Sequence, residues 1–169
     1  MKYVAFFVCG LLASSALAQT PIPPQKPIIL ATEIGVVAAV RDKAQVLVIA
    51  TVTSKQISSV VQIKDESILG GRFDMSPRDI PQLSKLLQDA SDNLLAGQTF
   101  SGKVGKASVT VVESNGQKVV VVTFETEGLT FSTRELTLDA DNAAGLARIL
   151  SRAKQVSDWL SPKLTVLQP

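Results

Sequence analysis

A run of strand-like segments ending in a capped amphipathic helix occurs twice in this 169-residue chain, and few folds accommodate that pattern. Met75, Ser76, Leu83, Lys85, Leu86, Leu87 and Ala90 match Leu138, Asp139, Leu146, Arg148, Ile149, Leu150 and Ala153 at one constant offset. Any two amphipathic helices share leucine spacing, so the stripe alone carries little weight. The matching strand end and cap ahead of each helix are a further agreement, and together they indicate an internal duplication. The match loosens before Met75, where Arg72 and Arg134 correspond only after a one-residue slip. The expected fold is α+β: tandem ββββα repeats over 33–97 and 98–162, with antiparallel sheets each packed with one helix, then a tail over 163–169.

The local signals agree with this frame. Residues 34–40, 46–53, 57–64 and 68–75 are rich in Val, Ile and Thr and are separated by polar breaks, which predicts strands. Residues 79–95 then change period, with Ile80, Leu83, Leu87, Ala90 and Leu94 on one helical stripe. Ser76 is expected to cap that helix with Pro77 at its first position, and Gly97 to end it. Strands are expected again over 99–103, 107–113, 118–125 and 129–138, with Asn115-Gly116 as a type I′ hairpin turn. The second helix is expected over 140–160, capped by Asp139 and stopped by Pro162.

The N-terminus speaks to destination. A basic start at Lys2, an apolar run over 3–12 and small residues ending in Ala16-Leu17-Ala18 make residues 1–18 a secretory signal peptide, cleaved between Ala18 and Gln19. The apolar run is shorter than the roughly 20 residues that cross a bilayer, so no stable membrane anchor is expected after cleavage. Phe6, Phe7 and Val8 before Cys9 are too bulky for a lipidation motif. Residues 19–32 contain Pro21, Pro23, Pro24 and Pro27 and are expected to form a flexible leader. The expected location is the periplasm or the exterior.

Cleavage would remove Cys9, the only cysteine, and the chain has no histidine. That excludes disulfides, zinc–thiolate sites and Ser-His or Cys-His nucleophile pairs from the mature body. Removing Lys2 takes 17 basic side chains to 16 against 15 acidic ones, so the formal charge falls from +2 to +1. A basic stripe is absent from the sequence, which argues against both nucleic acid and an anionic membrane as partners.

Glu125, Glu127 and Glu135 surround an expected hairpin and are the candidate acid, base or metal-ligand group, although solvated hairpin charges read the same way. Lys103 and Lys106 flank Gly105 in an expected turn, as exposed lysines. Gly70-Gly71 reads as a β-bulge. Trp159 is expected to seal one edge of the core, and Phe73, Phe100, Phe124 and Phe131 to be mostly committed to it.

The junctions GGRFDMSPRDIPQLSKLL and FSTRELTLDADNAAGLARIL, each following strands and opening a helix, resemble the ββββα repeat of the PC4, PUR and Whirly group of single-stranded nucleic-acid binders. The resemblance implies that fold and, by analogy, a nucleic-acid-binding module. The chain departs from the group in its export signal, its near-neutral charge and its few aromatics for stacking on bases. The expected function is therefore an exported, noncatalytic binding or interaction protein of the periplasm or cell envelope, with no cofactor and no catalytic or metal-ligating residue assigned. Its expected partner is an envelope or secreted macromolecule, with self-association possible through sheet edges. A carboxylate-dependent hydrolase built on the three glutamates is the alternative from another class.

Overall fold

The computed structural model describes residues 26–40, 43–53, 56–65, 72–125 and 133–165. Strand alternation builds the first sheet: in β2 (Lys43–Val52) Ala44, Val46, Val48, Ala50 and Val52 are all buried, and the residues between them face outward. This strand lies between β1 (Ile28–Ala38) and β3 (Ile57–Asp65), and β4 (Arg72–Met75) adds beyond β3. Helix α1 (Ile80–Leu95) follows. The second unit repeats the order as β5 (Phe100–Val104), β6 (Ala107–Ser114), β7 (Gln117–Glu125), β8 (Thr133–Leu138) and α2 (Ala140–Leu164). Both sheets are antiparallel with strands in sequence order, so the fold is α+β with two ββββα units.

The helices are exchanged. Helix α1 packs on β5, β6 and β7 of the second unit, whereas α2 packs chiefly on β1, β2 and β3 of the first. Two matched positions make reciprocal close contacts. A Cβ on Gly102 of β5 would lie 2.4 Å from Leu86 of α1, and one on Gly35 of β1 would lie 3.2 Å from Ile149 of α2. Each unit's first strand thus keeps a bare backbone where the other unit's helix descends. The strands of both units share one core with both helices, and the rings of Phe73 and Phe124 stack across the units at 4.4 Å. The amide of Val40, just after β1, donates to Thr137 O of β8 at 2.8 Å.

Several boundaries differ from the sequence-based expectation. Strand β1 begins at Ile28, inside the segment expected to be a leader, because its backbone pairs with β2 from Ile28↔Val52 onward. The β-bulge observed falls in β1, between Glu33 and Gly35. The one expected at Gly70-Gly71 lies outside the described residues, as do residues 1–25 with the expected signal peptide and cleavage point.

Ser76 does not cap α1. Residues 77–79 form a turn, the helix starts at Ile80, and Ser76 Oγ accepts only a long 3.4 Å contact from the Arg78 amide. Pro81, in the opening turn, sets the start by its fixed φ and missing donor. Asp139 does cap α2, accepting from the Asn142 amide at 2.7 Å. Pro162 does not stop α2, which continues to Leu164. The buried Leu164 packs with Ala50 and Val52 at the end of β2 and holds the last turn against the loss of one backbone bond. Trp159 is 59% exposed, with Lys163 Nζ 3.3 Å from its ring centroid, so it does not seal the core.

Candidate functional site

The face of the second sheet turned away from the helices is set by strand register. With Val109, Val111, Val120, Val122 and Leu138 directed to the core, the alternate positions Val112, Val119, Val121, Glu135 and Thr137 fall on the opposite face. The hairpin between β6 and β7 turns at Asn115-Gly116, whose φ angles of 54° and 78° are those of the expected type I′ turn. That tight turn sets Val112 opposite Val119 and Ser114 opposite Gln117 on this face. From the other side, the Val40–Thr137 bond brings Ala39 and Val40 of the first unit over β8.

Together these segments enclose a concavity of about 450 Å³. Its walls are Ala39, Val40, Val112, Val119, Val121 and Leu136, and its polar groups are Ser114, Asn115, Glu135 and Thr137; Glu113 borders it at the hairpin end, with its side chain on the face of Val109 and Val111. Neither lysine nor arginine lines it among the described residues. Val40 and Val112 are 61% and 40% exposed, an apolar surface that no other described element covers. The arrangement suits an apolar group that carries, or lies next to, a positive charge.

The three glutamates singled out from sequence do not act as a group here. Glu135 joins the concavity. Glu125 is diagonal to it on the ladder, since Thr123 opposes Glu135 and Glu125 opposes Thr133. It is tied to Lys103, whose Nζ lies 2.7 Å from Glu125 Oε1. That hydrogen bond, followed by the charge of Lys103, holds the Glu125 carboxyl below its ordinary 4.5, opposite to what a general acid requires. Lys103, read from sequence as merely exposed, is therefore engaged. Glu127 lies outside the described residues. Among the described residues, no three His, Cys, Asp or Glu side chains are placed to share a metal ion.

Sequence reasoning missed Val40, which arrives from the other unit. Ser114 could have been found from the hairpin: with the turn at Asn115-Gly116, alternation puts it on the face of Glu135, whereas Glu113 shares the face of Val109 and Val111.

No protein-family model matches the chain, and no curated protein matches it. Among solved structures, the chain is similar to SsgB, mutations in which correlate to longitudinal cell division during sporulation of Streptomyces coelicolor. The match has a TM-score of 0.33 and 13% identity over 81% of this chain and 93% of that one. No described helix is long and apolar enough to cross a membrane.

Proposed function

We propose that this protein is an exported, noncatalytic binding protein that holds an extended segment of an envelope or secreted macromolecule against β8, the segment presenting a basic residue beside apolar ones. One observation carries the reading: the concavity over β6–β8 combines apolar walls with the carboxylate of Glu135 and has no cation in its described lining. Apolar burial supplies affinity, and the carboxylate selects for charge and orientation. The same carboxylate repels phosphates, so nucleic acid is a poor occupant of this face. Export is supported by the tripartite pattern over residues 1–18. Binding is tested with a peptide library on the mature protein. Selected peptides should pair Lys or Arg with apolar residues, and Glu135→Gln should weaken them about tenfold or more, the scale of a lost charge-assisted contact, whereas Glu113→Gln, on the other face, should change little. Selection without charge preference, or turnover of a bound substrate, would overturn the reading.

Self-association is a second reading, favoured by β1. It is a sheet edge, and Ile28, Ile29 and Leu30 on it are 44%, 63% and 37% exposed. Two such edges can pair in antiparallel fashion. Sedimentation velocity should then show a concentration-dependent dimer that Leu30→Pro abolishes; a monomer at all concentrations would exclude it.

A further inference from the structure

Helices α1 and α2 lie antiparallel. At one end Ser91 Oγ donates to Ala140 O at 2.9 Å, and at the other Pro81 and Ser84 share a groove with residues 147–152. The groove has a volume of about 640 Å³ and takes matched positions from the two repeats. Ser84 and its counterpart Ala147 are buried at its floor, and Lys85 and its counterpart Arg148 stand exposed on its walls. Farther along, Asp89 corresponds to Arg152, so three cations meet one carboxylate.

Two features of this groove are unexplained by packing. None of Lys85, Arg148 and Arg152 is in an ion pair among the described residues, unlike Lys103, which pairs with Glu125, and Lys154, which pairs with Asp158. Ser84 is only 8% exposed, and its Oγ has no hydrogen-bond partner, whereas Ser151 Oγ across the groove donates to Ala147 O at 3.0 Å. A buried hydroxyl without a partner is uncommon and calls for a specific reason. Ser84 itself lines the groove, and its single χ1 has other staggered positions for the hydroxyl.

We infer that this groove binds a phosphoryl-type oxyanion, with Arg148 and Arg152 donating from α2, Lys85 from α1, and Ser84 Oγ completing the contacts from the floor. Planar guanidinium groups match the paired oxygens of such an anion, and Lys adds a point charge from the facing wall. The small residues Ser84 and Ala147 give the anion access between the helices. The site lies on the helical layer, away from the acidic concavity, so it stands or falls independently of the proposed partner binding. Free phosphate and the headgroup of an anionic phospholipid present the same chemistry.

The test titrates the full mature chain with inorganic phosphate by amide NMR and, separately, measures its cosedimentation with phosphatidylcholine vesicles with and without phosphatidylglycerol. Saturable shifts at Ser84, Arg148 and Arg152 assign the site to free phosphate. Sedimentation that depends on phosphatidylglycerol, without phosphate shifts, assigns it to a headgroup. In either case the Arg148→Gln, Arg152→Gln variant should weaken binding about tenfold or more. Ser84→Ala should weaken it a further few-fold without lowering the melting temperature, which separates a built site from diffuse attraction to positive charge. Circular dichroism of each variant checks the fold, and Glu135→Gln should leave phosphate or vesicle binding unchanged. Absence of both kinds of binding, or binding indifferent to the arginine pair or to Ser84, would overturn the inference.

Discussion

A lysine 2.7 Å from Glu125 biases that carboxylate towards its charged form. Because the folded pKa lies below the ordinary 4.5, the pair contributes stability above that value and loses it as pH falls through the lower folded pKa. Both side chains are more than half exposed, so the contribution is small and screened by salt. Lys103→Ala should return the Glu125 titration, followed by carboxyl NMR, to the ordinary glutamate range; an unchanged midpoint would show that the hydrogen bond is not made. Leu87 and Leu150 test the opposite regime, since neither has any exposed surface. Leu87→Asp and Leu150→Asp should each cost about 4 kcal/mol or more in chemical denaturation, because a carboxylate would replace a core aliphatic group without a partner. Both were legible in the sequence from helical period alone. Trp159 shows what misleads at this scale: it lies off the stripe of Leu146, Leu150, Ala153 and Ser157, and reading it by residue type rather than by position put it inside.

Strands and helices were legible where alternation or a stripe was strong, and their ends were not. The Asn115-Gly116 turn and the Asp139 cap are local chemistry and stand as the sequence predicts. Pro162 and Ser76 do not, because the last turn of α2 is held by Leu164 on the first sheet and the start of α1 by Pro81. Local rules lose where tertiary packing supplies a competing term. The elements also carry their own test of the duplication, in the reciprocal contacts of Gly102 with Leu86 and Gly35 with Ile149. Gly102→Ala should destabilise by about 1–3 kcal/mol through overpacking. Leu86→Ala in the same chain should recover part of that loss, giving a coupling energy of about 0.5–3 kcal/mol in a double-mutant cycle. Gly35→Ala with Ile149→Ala should behave alike but more weakly, since its contact is 3.2 Å rather than 2.4 Å. Additive effects at both positions would mean that the helices do not descend on these strands.

At the scale of the molecule, the exchange of helices is what the sequence could not disclose. Apolar periodicity tells which face of α1 is buried but not which sheet it meets, and Leu83 or Leu87 would read the same on either one. The concavity was hidden for the same reason: Glu135 was legible as a candidate, but Val40 in the same lining comes from the other unit. The exchange predicts that residues 26–97 and 98–165, produced as separate polypeptides, each lack a cooperative thermal transition, and that mixing them restores one. Independent melting of either half would show two self-sufficient domains. Chain synthesis proceeds from the N-terminus, and α2 follows strands β1 to β8 in the order. Strands β1, β2 and β3 must therefore persist without their own cover, with Ala44, Val46 and Val48 open to water or to other chains, until the second unit's strands and then α2 have been made. Such long-range dependence slows folding and lengthens the interval of aggregation risk. The crossed architecture thus makes this protein dependent on whatever shields a half-made sheet during biogenesis, a requirement that its finished form gives no sign of.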